Sequence, residues 1–298
     1  MTFLLKKYQE QNKSNYLDLI EPNQDEFKER HYQKTFDLWG KGNNAKNKLK
    51  FDGNDTHIEK IIETFGKEDF MINGDSYLEI GCGEGIDLNY FTKNFNFKNI
   101  YTVDIGANIK DLSKREDFKN VHFSRCDCLN LPFENDSFDL IYSYGVFHHT
   151  KDFDKALSEA KRVLKENGVM FFYTYKKQKN LIKRMGVFIE NILLKVFSNL
   201  SYNKTKILCY LLSPIVLILF SYPAQLFKFA GFKKIYKKFP FWWGVSPKNI
   251  IYDLTDRLYA PINIRYDTNE LKKELEKLNF SKAALVDVND GIFCRIVK

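Results

Sequence analysis

The sequence predicts an α/β fold, a doubly wound sheet of seven strands that is mostly parallel and has an antiparallel C-terminal strand. Residues 75–175 alternate short apolar runs with helical segments, the pattern of parallel strands joined by crossover helices. A turn with glycine at every second position follows the first strand, in Tyr77-Leu-Glu-Ile-Gly-Cys-Gly-Glu-Gly85. Near the end of the chain, Asn289-Asp-Gly291 separates two apolar runs, and this tight turn predicts an antiparallel hairpin at the sheet edge.

Each element has its own local signal. Apolar runs predict the seven strands at 77–80, 100–103, 121–124, 138–143, 168–175, 283–288 and 292–297. A capping box begins a helix at Thr56, and Gly66 ends that helix. Further helices are predicted after the glycine turn, over 152–166, and from Asp267 onward.

The glycine turn suits a charged ligand. Gly81, Gly83 and Gly85 carry no Cβ, so the backbone can turn sharply and a ligand can lie against it. The following helix presents free N–H groups to an anionic group, and Glu79 adds a carboxylate that can hold an ammonium. An amino-acid moiety fits this pair of features. The third glycine comes one residue earlier than in the dinucleotide pattern G-x-G-x-x-G, and a tight turn without a ligand is the alternative.

Acidic residues end the two neighbouring strands. Asp104 ends the second strand, nineteen residues after Gly85, where a carboxylate can accept both hydroxyls of a ribose. Asp127 follows the third strand, where a carboxylate can accept from an adenine amino group. The pattern therefore predicts a nucleoside-containing ligand at the strand tips.

Five motifs, in this order and spacing, resemble a known family. They are Glu79-Ile-Gly-Cys-Gly-Glu-Gly85, Val103-Asp104, Leu131-Pro-Phe-Glu-Asn-Asp-Ser-Phe-Asp139, Gly145-Val-Phe-His-His-Thr150 and Arg162-Val-Leu-Lys-Glu-Asn-Gly168. Together they resemble the class I S-adenosylmethionine-dependent methyltransferases of the small-molecule, methyltransferase type 11-like group. The resemblance covers residues 75–176 tightly. It implies a Rossmann-like sheet and S-adenosylmethionine as the cofactor, and it says little about the methyl acceptor.

The resemblance also assigns roles to single residues. The implied cofactor-binding residues are Glu79, Gly81, Gly83, Gly85, Asp104, Ile105, Asp127, Cys128, Leu129 and Ser143. Glu79 and the glycines would cradle the methionine part, Asp104 would hold the ribose, and Ile105 would pack on the adenine. Tyr144 would lie with Ser143 near the reactive methyl group. His148 is the candidate general base, with His149 beside it, although histidines of this motif usually orient the following loop.

The bulk composition fits an enzyme of ordinary size in a reducing compartment. A chain of 298 residues with 44% hydrophobic content can bury a full core. Five cysteines without paired spacing argue against a disulfide framework, and the first residues lack the apolar length of a signal peptide. The other histidines, His31, His57 and His122, show no metal-ligand spacing, so no metal is expected. We expect a cytoplasmic protein, with peripheral attachment to the inner face of the membrane left open.

The segment between the fifth strand and the last helix is unusual in charge and hydropathy. Residues 176–248 contain fourteen Lys or Arg and one acid, Glu190, while the whole chain carries a net charge of +8. Residues 207–227 are uncharged over 21 positions, near the length of a membrane span, but Pro214 and Pro223 disfavour a span. The two main interpretations are a helical cap over the active site and helices lying in the membrane interface.

Four regions follow from these patterns. We predict an N-terminal helical arm (1–54), a cofactor-binding core (55–176), a basic and apolar helical cap (177–250) and a C-terminal part (251–298) that completes the core sheet. Residues 178–243 are the predicted contact with an anionic membrane surface.

The leading function is methylation of a small or lipid-like acceptor, in which in-line transfer is accelerated mainly by positioning. A nicotinamide-dependent oxidoreductase is disfavoured by the glycine spacing and the terminal hairpin. A catalytically silent, membrane-recruited scaffold is disfavoured by the presence of Glu79 and Asp104. Nucleic acid is not an expected substrate, because Ser143-Tyr-Gly-Val146 lacks the Asn/Asp-Pro-Pro-aromatic sequence of nucleic-acid amino methyltransferases.

Overall fold

The chain folds into two compact units. A computed structural model describes residues 3–9, 15–20, 57–70, 74–197, 200, 202–236, 238–241, 247–259, 262–280, 282–288 and 291–298. The first unit comprises Met1–Lys176 and Ile262–Lys298, and the second comprises Lys177–Pro261. The predicted arm over 21–54, the capping residue Thr56 and the turn residues Asn289 and Asp290 lie outside the described residues.

The first unit is built around one sheet of eight strands in the order β1-β4-β3-β2-β5-β6-β8-β7. The strands are β1 (Tyr16–Asp18), β2 (Ser76–Ile80), β3 (Asn99–Asp104), β4 (Val121–Arg125), β5 (Phe138–Tyr144), β6 (Leu164–Tyr175), β7 (Lys282–Asp287) and β8 (Gly291–Val297). The first six strands pair in parallel, whereas β8 lies antiparallel to both of its neighbours, β6 and β7. The predicted parallel sheet with an antiparallel C-terminal strand is confirmed.

The structure adds one strand to the seven expected. β1 pairs in parallel with β4 at the sheet edge, with Tyr16 opposite Phe123. A three-residue strand within a polar arm offers too little alternation to be recognised from sequence. The helix predicted over 152–166 ends earlier, at Val163, because Leu164 already pairs with Phe138.

Helices flank the sheet of the first unit and make up the described elements of the second. They are α1 (Lys6–Gln9), α2 (His57–Phe65), α3 (Ile86–Asn94), α4 (Ile109–Leu112), α5 (Phe153–Val163), α6 (Leu181–Phe197), α7 (Tyr202–Val216), α8 (Tyr222–Phe229), α9 (Lys233–Tyr236), α10 (Pro247–Tyr259) and α11 (Thr268–Lys277). On one sheet face Leu78 of β2 belongs to a buried cluster with Leu157 of α5 and Leu271 of α11. On the other face its neighbour Tyr77 is buried with Ile61 of α2 and Phe91 of α3. Because successive strand residues point to opposite faces, β2 is buried on both sides, as a doubly wound sheet requires.

Capping side chains fix two of these helices. Asp152 accepts a hydrogen bond from the Lys155 backbone N–H at the start of α5. Asp267 and Glu270 form a reciprocal capping box at the start of α11, which confirms the helix start predicted at this aspartate.

The second unit is helical and has its own buried cluster. Cys209 and Leu217 pack with Ile250 and Leu254 of α10. Since α10 belongs to this cluster, the unit extends to Pro261, beyond the boundary at 250 expected from sequence.

A long apolar helix crosses the second unit. Leu217–Ser221 forms a π-helical turn that continues α7 into α8. Within the described part of the chain, Lys204–Phe229 is the one helix long and apolar enough to cross a membrane, judged by length and composition alone.

Candidate active site

The glycine turn between β2 and α3 has the backbone that the sequence predicted. Gly81, Gly83 and Gly85 have φ values of 81°, 52° and 74°, a region that other L-residues rarely adopt. A Cβ on Gly81 would lie 2.1 Å from Cγ2 of Val146, so a side chain is excluded there by packing. A Cβ on Gly83 would meet no atom of the described residues within 4 Å. The turn is therefore closed behind Gly81 and open in front of Gly83, where a ligand can approach the backbone.

Asp104, at the end of β3, is bound to this turn. Its Oδ2 accepts from the Gly83 backbone N–H at 2.8 Å, and its Oδ1 accepts from the Gly106 N–H at 2.7 Å. Asn108 donates to the Gly83 carbonyl at 2.5 Å, and its own Oδ1 is buried without a hydrogen-bond partner in the described residues. Asn108 is not predicted from the sequence, because no spacing rule links it to the glycines.

Glu79 is the buried acid of the site. It lies at the end of β2 and is 2% exposed, and its Oε2 has no hydrogen-bond partner among the described residues. Burial raises the pKa of Glu79 well above its usual range, and the nearby carboxylates of Asp87 and Asp104 raise it further. The nearby Tyr77 hydroxyl lowers this pKa only in part.

A second buried acid, Asp87, anchors α2 to the start of α3. Its Oδ1 accepts from the His57 backbone N–H at 2.8 Å, and its Oδ2 lies 3.1 Å from Nδ1 of the same histidine. The Tyr142 hydroxyl donates to Oδ2 at 2.9 Å. Burial alone would raise the pKa of Asp87, but His57 and these hydrogen bonds outweigh it and lower the pKa below its usual value. Asp87 was not predicted from the sequence, although an acid in the first turn of the helix after the glycines is a signal that could have found it.

The residues expected around an adenine lie on the adjacent strand ends. Ile105 is half-buried, directly after Asp104, and Arg125 donates to its carbonyl at 3.1 Å. The Cys126 backbone N–H donates to the Asp104 carbonyl, which brings the two strand ends together. Asp127 accepts from the Leu129 N–H at 2.9 Å. Cys128 and Leu129 are buried at this turn.

Ser143 and Tyr144, at the end of β5, lie next to the glycine turn. Ser143 is buried and donates to the Ile80 carbonyl at 3.0 Å. The Tyr144 ring is stacked between His57, at a centroid distance of 4.0 Å, and Tyr173, at 4.4 Å. These contacts connect α2 with the carboxyl-terminal ends of β5 and β6.

His148 lies deeper in the fold than a solvent-facing base would. It is fully buried, and its ring centroid lies 4.0 Å from Tyr175 and 4.2 Å from His149. Burial lowers the pKa of His148 well below its usual value, and His149 and Arg265 add to the shift. Burial also lowers the pKa of His149 to about 4. Both imidazoles are therefore neutral at physiological pH.

A comparison with known families identifies the part of the chain that carries this site. The family model described as a methyltransferase domain matches residues 78–172. These residues are a class I S-adenosylmethionine-dependent methyltransferase domain. The predicted family and cofactor are confirmed for this part of the chain, which extends from β2 into β6.

Individual relatives of the methyltransferase domain give the same assignment. A phthiotriol/phenolphthiotriol dimycocerosates methyltransferase of Mycobacterium leprae is 34% identical over 98 residues, covering 33% of this chain and 36% of the relative. A ubiquinone/menaquinone biosynthesis C-methyltransferase, UbiE, of Campylobacter jejuni is 29% identical over 156 residues, covering 49% and 63%. The chain spans less than half the length of the mycobacterial relatives that it matches.

A solved S-adenosylmethionine-dependent methyltransferase from Aquifex aeolicus has a TM-score of 0.45 to this chain. It is 15% identical, and the match covers 80% of this chain and 88% of that one.

The residues present fit S-adenosylmethionine. Two buried oxygens, Glu79 Oε2 and Asn108 Oδ1, have no hydrogen-bond partner among the described residues, and a ligand with several hydrogen-bond donors would satisfy them. The space in front of Gly83 would be filled by a Cβ, and glycine leaves it open. The methyltransferase domain thus combines unsatisfied acceptors with an open backbone at one turn.

Proposed function

We propose that the protein transfers a methyl group from S-adenosylmethionine to a small, lipid-like acceptor. The observation that carries this proposal is the buried Glu79 carboxyl, unpartnered at Oε2, beside a glycine turn whose backbone is fixed by Asp104. This arrangement pairs an acceptor for an amino group with an acceptor for a ribose. A nicotinamide dinucleotide brings no amino-acid group to pair with Glu79.

In this proposal, residues at different strand ends bind different parts of the cofactor. Glu79 and the open backbone surface at Gly83 hold the amino-acid part, and Asp104 holds the ribose hydroxyls. Ile105 packs against the adenine, whose edge is framed by the turn that Asp127 begins. Ser143 ties the end of β5 to the end of β2, just before the glycine turn, through its hydrogen bond to the Ile80 carbonyl.

In the proposed mechanism, the protein contributes mainly by positioning the acceptor and the methyl donor. Bound S-adenosylmethionine supplies a methyl group that its sulfonium already activates. Tyr144 is fixed by stacking on both faces, so it can align an acceptor only through the edge of its ring. His148, neutral and enclosed by aromatic rings, orients the loop after β5 and accepts a proton only if the acceptor must lose one.

Two observations support a lipid-like acceptor. The relatives named above are methyltransferases of phthiotriol/phenolphthiotriol dimycocerosates and of ubiquinone/menaquinone biosynthesis, two lipid-related pathways. The second unit exposes many large apolar side chains, among them Phe188, Leu211 and Leu226. A surface of this kind can bind an acceptor that has an apolar body.

We also propose that the protein works at the inner face of a membrane, with residues 178–243 toward anionic headgroups. Fourteen cations against one acid in residues 176–248 support this, at about 1 kcal/mol per engaged Lys or Arg. Flotation with phosphatidylglycerol vesicles tests it. Binding should fade at high salt and on replacing Lys233, Lys234, Lys237 and Lys238 by Glu, and equal partition into neutral vesicles would contradict it.

Ligand-induced stabilisation tests the proposed cofactor chemistry. S-adenosylhomocysteine should raise the melting temperature of the protein, NADH should not, and the Asp104→Ala variant should lose most of the shift. A shift with NADH alone would support an oxidoreductase. Cofactor binding without methyl transfer to any acceptor would support a silent scaffold.

A further inference from the structure

The helix from Lys204 to Phe229 has its large and small residues on unexpected sides. Its buried row consists of small or polar residues and one leucine: Thr205, Cys209, Ser213, Leu217, Ser221 and Ala224. Its exposed side carries large apolar residues, defined here as the outward stripe: Ile207, Tyr210, Leu211, Ile215, Ile218, Leu219, Tyr222, Leu226 and Phe229. Leu226 is 68% exposed and Phe229 is 92% exposed. A water-facing helix has the opposite arrangement.

Two polar side chains of the second unit, Ser221 and Glu190, make contacts inside that unit. Ser221 donates inward to the Phe241 carbonyl at 3.0 Å. Glu190 of α6 is mostly buried and lies 3.8 Å from Arg257 of α10. Glu190, the one acid in residues 176–248, thus pairs inside the unit, while large apolar side chains face outward. Helices that contact lipid use small residues toward protein and large apolar residues toward hydrocarbon.

Charges at the ends of the stripe suit anionic headgroups. Lys204 and Lys206 are exposed at the first turn of the helix, and Lys228 is exposed at its last turn. Between them the stripe carries no charge. An apolar stripe bounded by lysines matches the boundary between headgroups and acyl chains, where lysine stems can extend toward the phosphates.

Chain connectivity decides between crossing the bilayer and lying in it. The segment leaves the first unit after Lys176 and returns before Tyr266, and these two residues are bridged in that unit. Both ends therefore lie on one side of any membrane, so the number of crossings must be even. Among the described residues a second helix of sufficient length and hydropathy is not found, and α10 has only 13 residues, with Asp253, Asp256 and Arg257.

We infer that the helix Lys204–Phe229 lies in the plane of a phospholipid bilayer, with the outward stripe immersed in one leaflet. The immersion would reach about 5–10 Å, into the boundary between headgroups and acyl chains. This inference deepens the membrane contact of the proposed function and rests on it for the presence of a membrane. It assigns the attachment to apolar insertion, so part of the binding should resist salt.

Depth measurements with spin labels test the inference on the full-length chain. Single cysteines at Ile207, Leu211, Ile218 and Leu226 carry the label, and the five native cysteines are buried, so the unsubstituted protein gives the background. Val286, exposed on β7 of the first unit, is the matched control position. With vesicles of phosphatidylcholine and phosphatidylglycerol, oxygen and a water-soluble nickel chelate report the depth of each label.

We expect all four stripe labels to lie at a similar shallow depth and the label at Val286 to stay in water. Labels that remain accessible to the chelate would overturn the inference. A depth that peaks at Ile218 and falls toward opposite surfaces would indicate a span and overturn the in-plane placement. Protection without vesicles that grows with protein concentration would assign the stripe to a second copy of the chain.

Paired variants separate this inference from the proposed function. Replacing Leu211 and Leu219 by Gln should lower salt-resistant vesicle binding at least about tenfold, whereas Val286→Gln should not change it. The melting shift caused by S-adenosylhomocysteine reports the first unit and should be kept by both variants. Unchanged vesicle binding in the Leu211/Leu219 variant would overturn the inference even if methyl transfer is established.

Discussion

The Asp87 carboxylate binds the first residue of α2, His57, through both the backbone N–H and the imidazole of that histidine. One buried acid at the start of α3 therefore fixes the start of a second helix, and the His57 ring in turn stacks on Tyr144. Asp87 therefore links Tyr144 of the candidate site, through His57, to α3, the helix that follows the glycine turn.

Asp87→Asn should lower the free energy of unfolding by about 1.5–3 kcal/mol at pH 7, because a hydrogen-bonded charge is lost. The folded pKa of Asp87 lies below the unfolded value of about 3.9. Its contribution is therefore present above that pH and lost as pH falls through the folded pKa. Urea unfolding at pH 7 and pH 3 measures both effects. Asp111→Asn, which breaks only an exposed pair with Lys114, should cost less than about 0.5 kcal/mol.

Glu79→Gln should stabilise the ligand-free protein at pH 7 and weaken its cofactor binding. The folded pKa of Glu79 is raised, so its favourable contribution is complete below the unfolded pKa of about 4.3 and is lost as pH rises. Glutamine removes that loss but cannot pair with an amino group as a carboxylate does. Affinity for S-adenosylhomocysteine should fall about tenfold or more in calorimetry. A variant that is no more stable at pH 7, or that binds equally well, contradicts this account of Glu79.

Gly83→Ala should affect ligand binding more than folding. In the part of the chain that the structure describes, the added Cβ meets no atom within 4 Å, so the cost to folding is that of the left-handed backbone, about 1–2 kcal/mol. The Cβ would occupy the side from which the ligand approaches, so S-adenosylhomocysteine should bind at least about tenfold more weakly. Gly231→Ala is the matched control, since Gly231 has a φ of 82° and open space in the second unit. Equal affinity in both variants would exclude the turn as a ligand surface.

His148→Gln should lower turnover only a few-fold if no base is required. The pKa values of His148 and His149 lie below the neutral range, so turnover between pH 6 and pH 8 should show no titration from either ring. Steady-state rates with an identified acceptor, measured across this range, check both points. A loss of about 10²- to 10⁴-fold would instead identify a general base.

The sequence predicted the fold where local signals were strong. The glycine turn, the acid at the end of β3 and the terminal antiparallel hairpin each depend on residues close together in the chain, and each is present. The residues predicted to contact the cofactor lie at or next to strand ends, which parallel pairing brings to the same end of the sheet.

The remaining features depend on contacts between distant segments. His57 and Asp87 are thirty positions apart, and no periodicity predicts that one carboxylate binds both a backbone N–H and a ring. The burial of His148 follows from Tyr175 of β6, which sequence spacing cannot place beside it. The helix Lys204–Phe229 was visible in the sequence only as an uncharged run. Which of its sides faces outward depends on its packing against α10, which the sequence does not give.

Transfer of a labelled methyl group tests the central claim most directly. Purified protein is incubated with extract of its source cells and S-adenosylmethionine that carries a radioactive methyl, and the organic-soluble, nucleic-acid and protein fractions are then counted. We expect label in the organic-soluble fraction with the unsubstituted protein and at least about tenfold less with Asp104→Ala at limiting cofactor. Label confined to nucleic acid, protein or water-soluble products, or equal label with both proteins, would contradict methyl transfer to a lipid-like acceptor at this site.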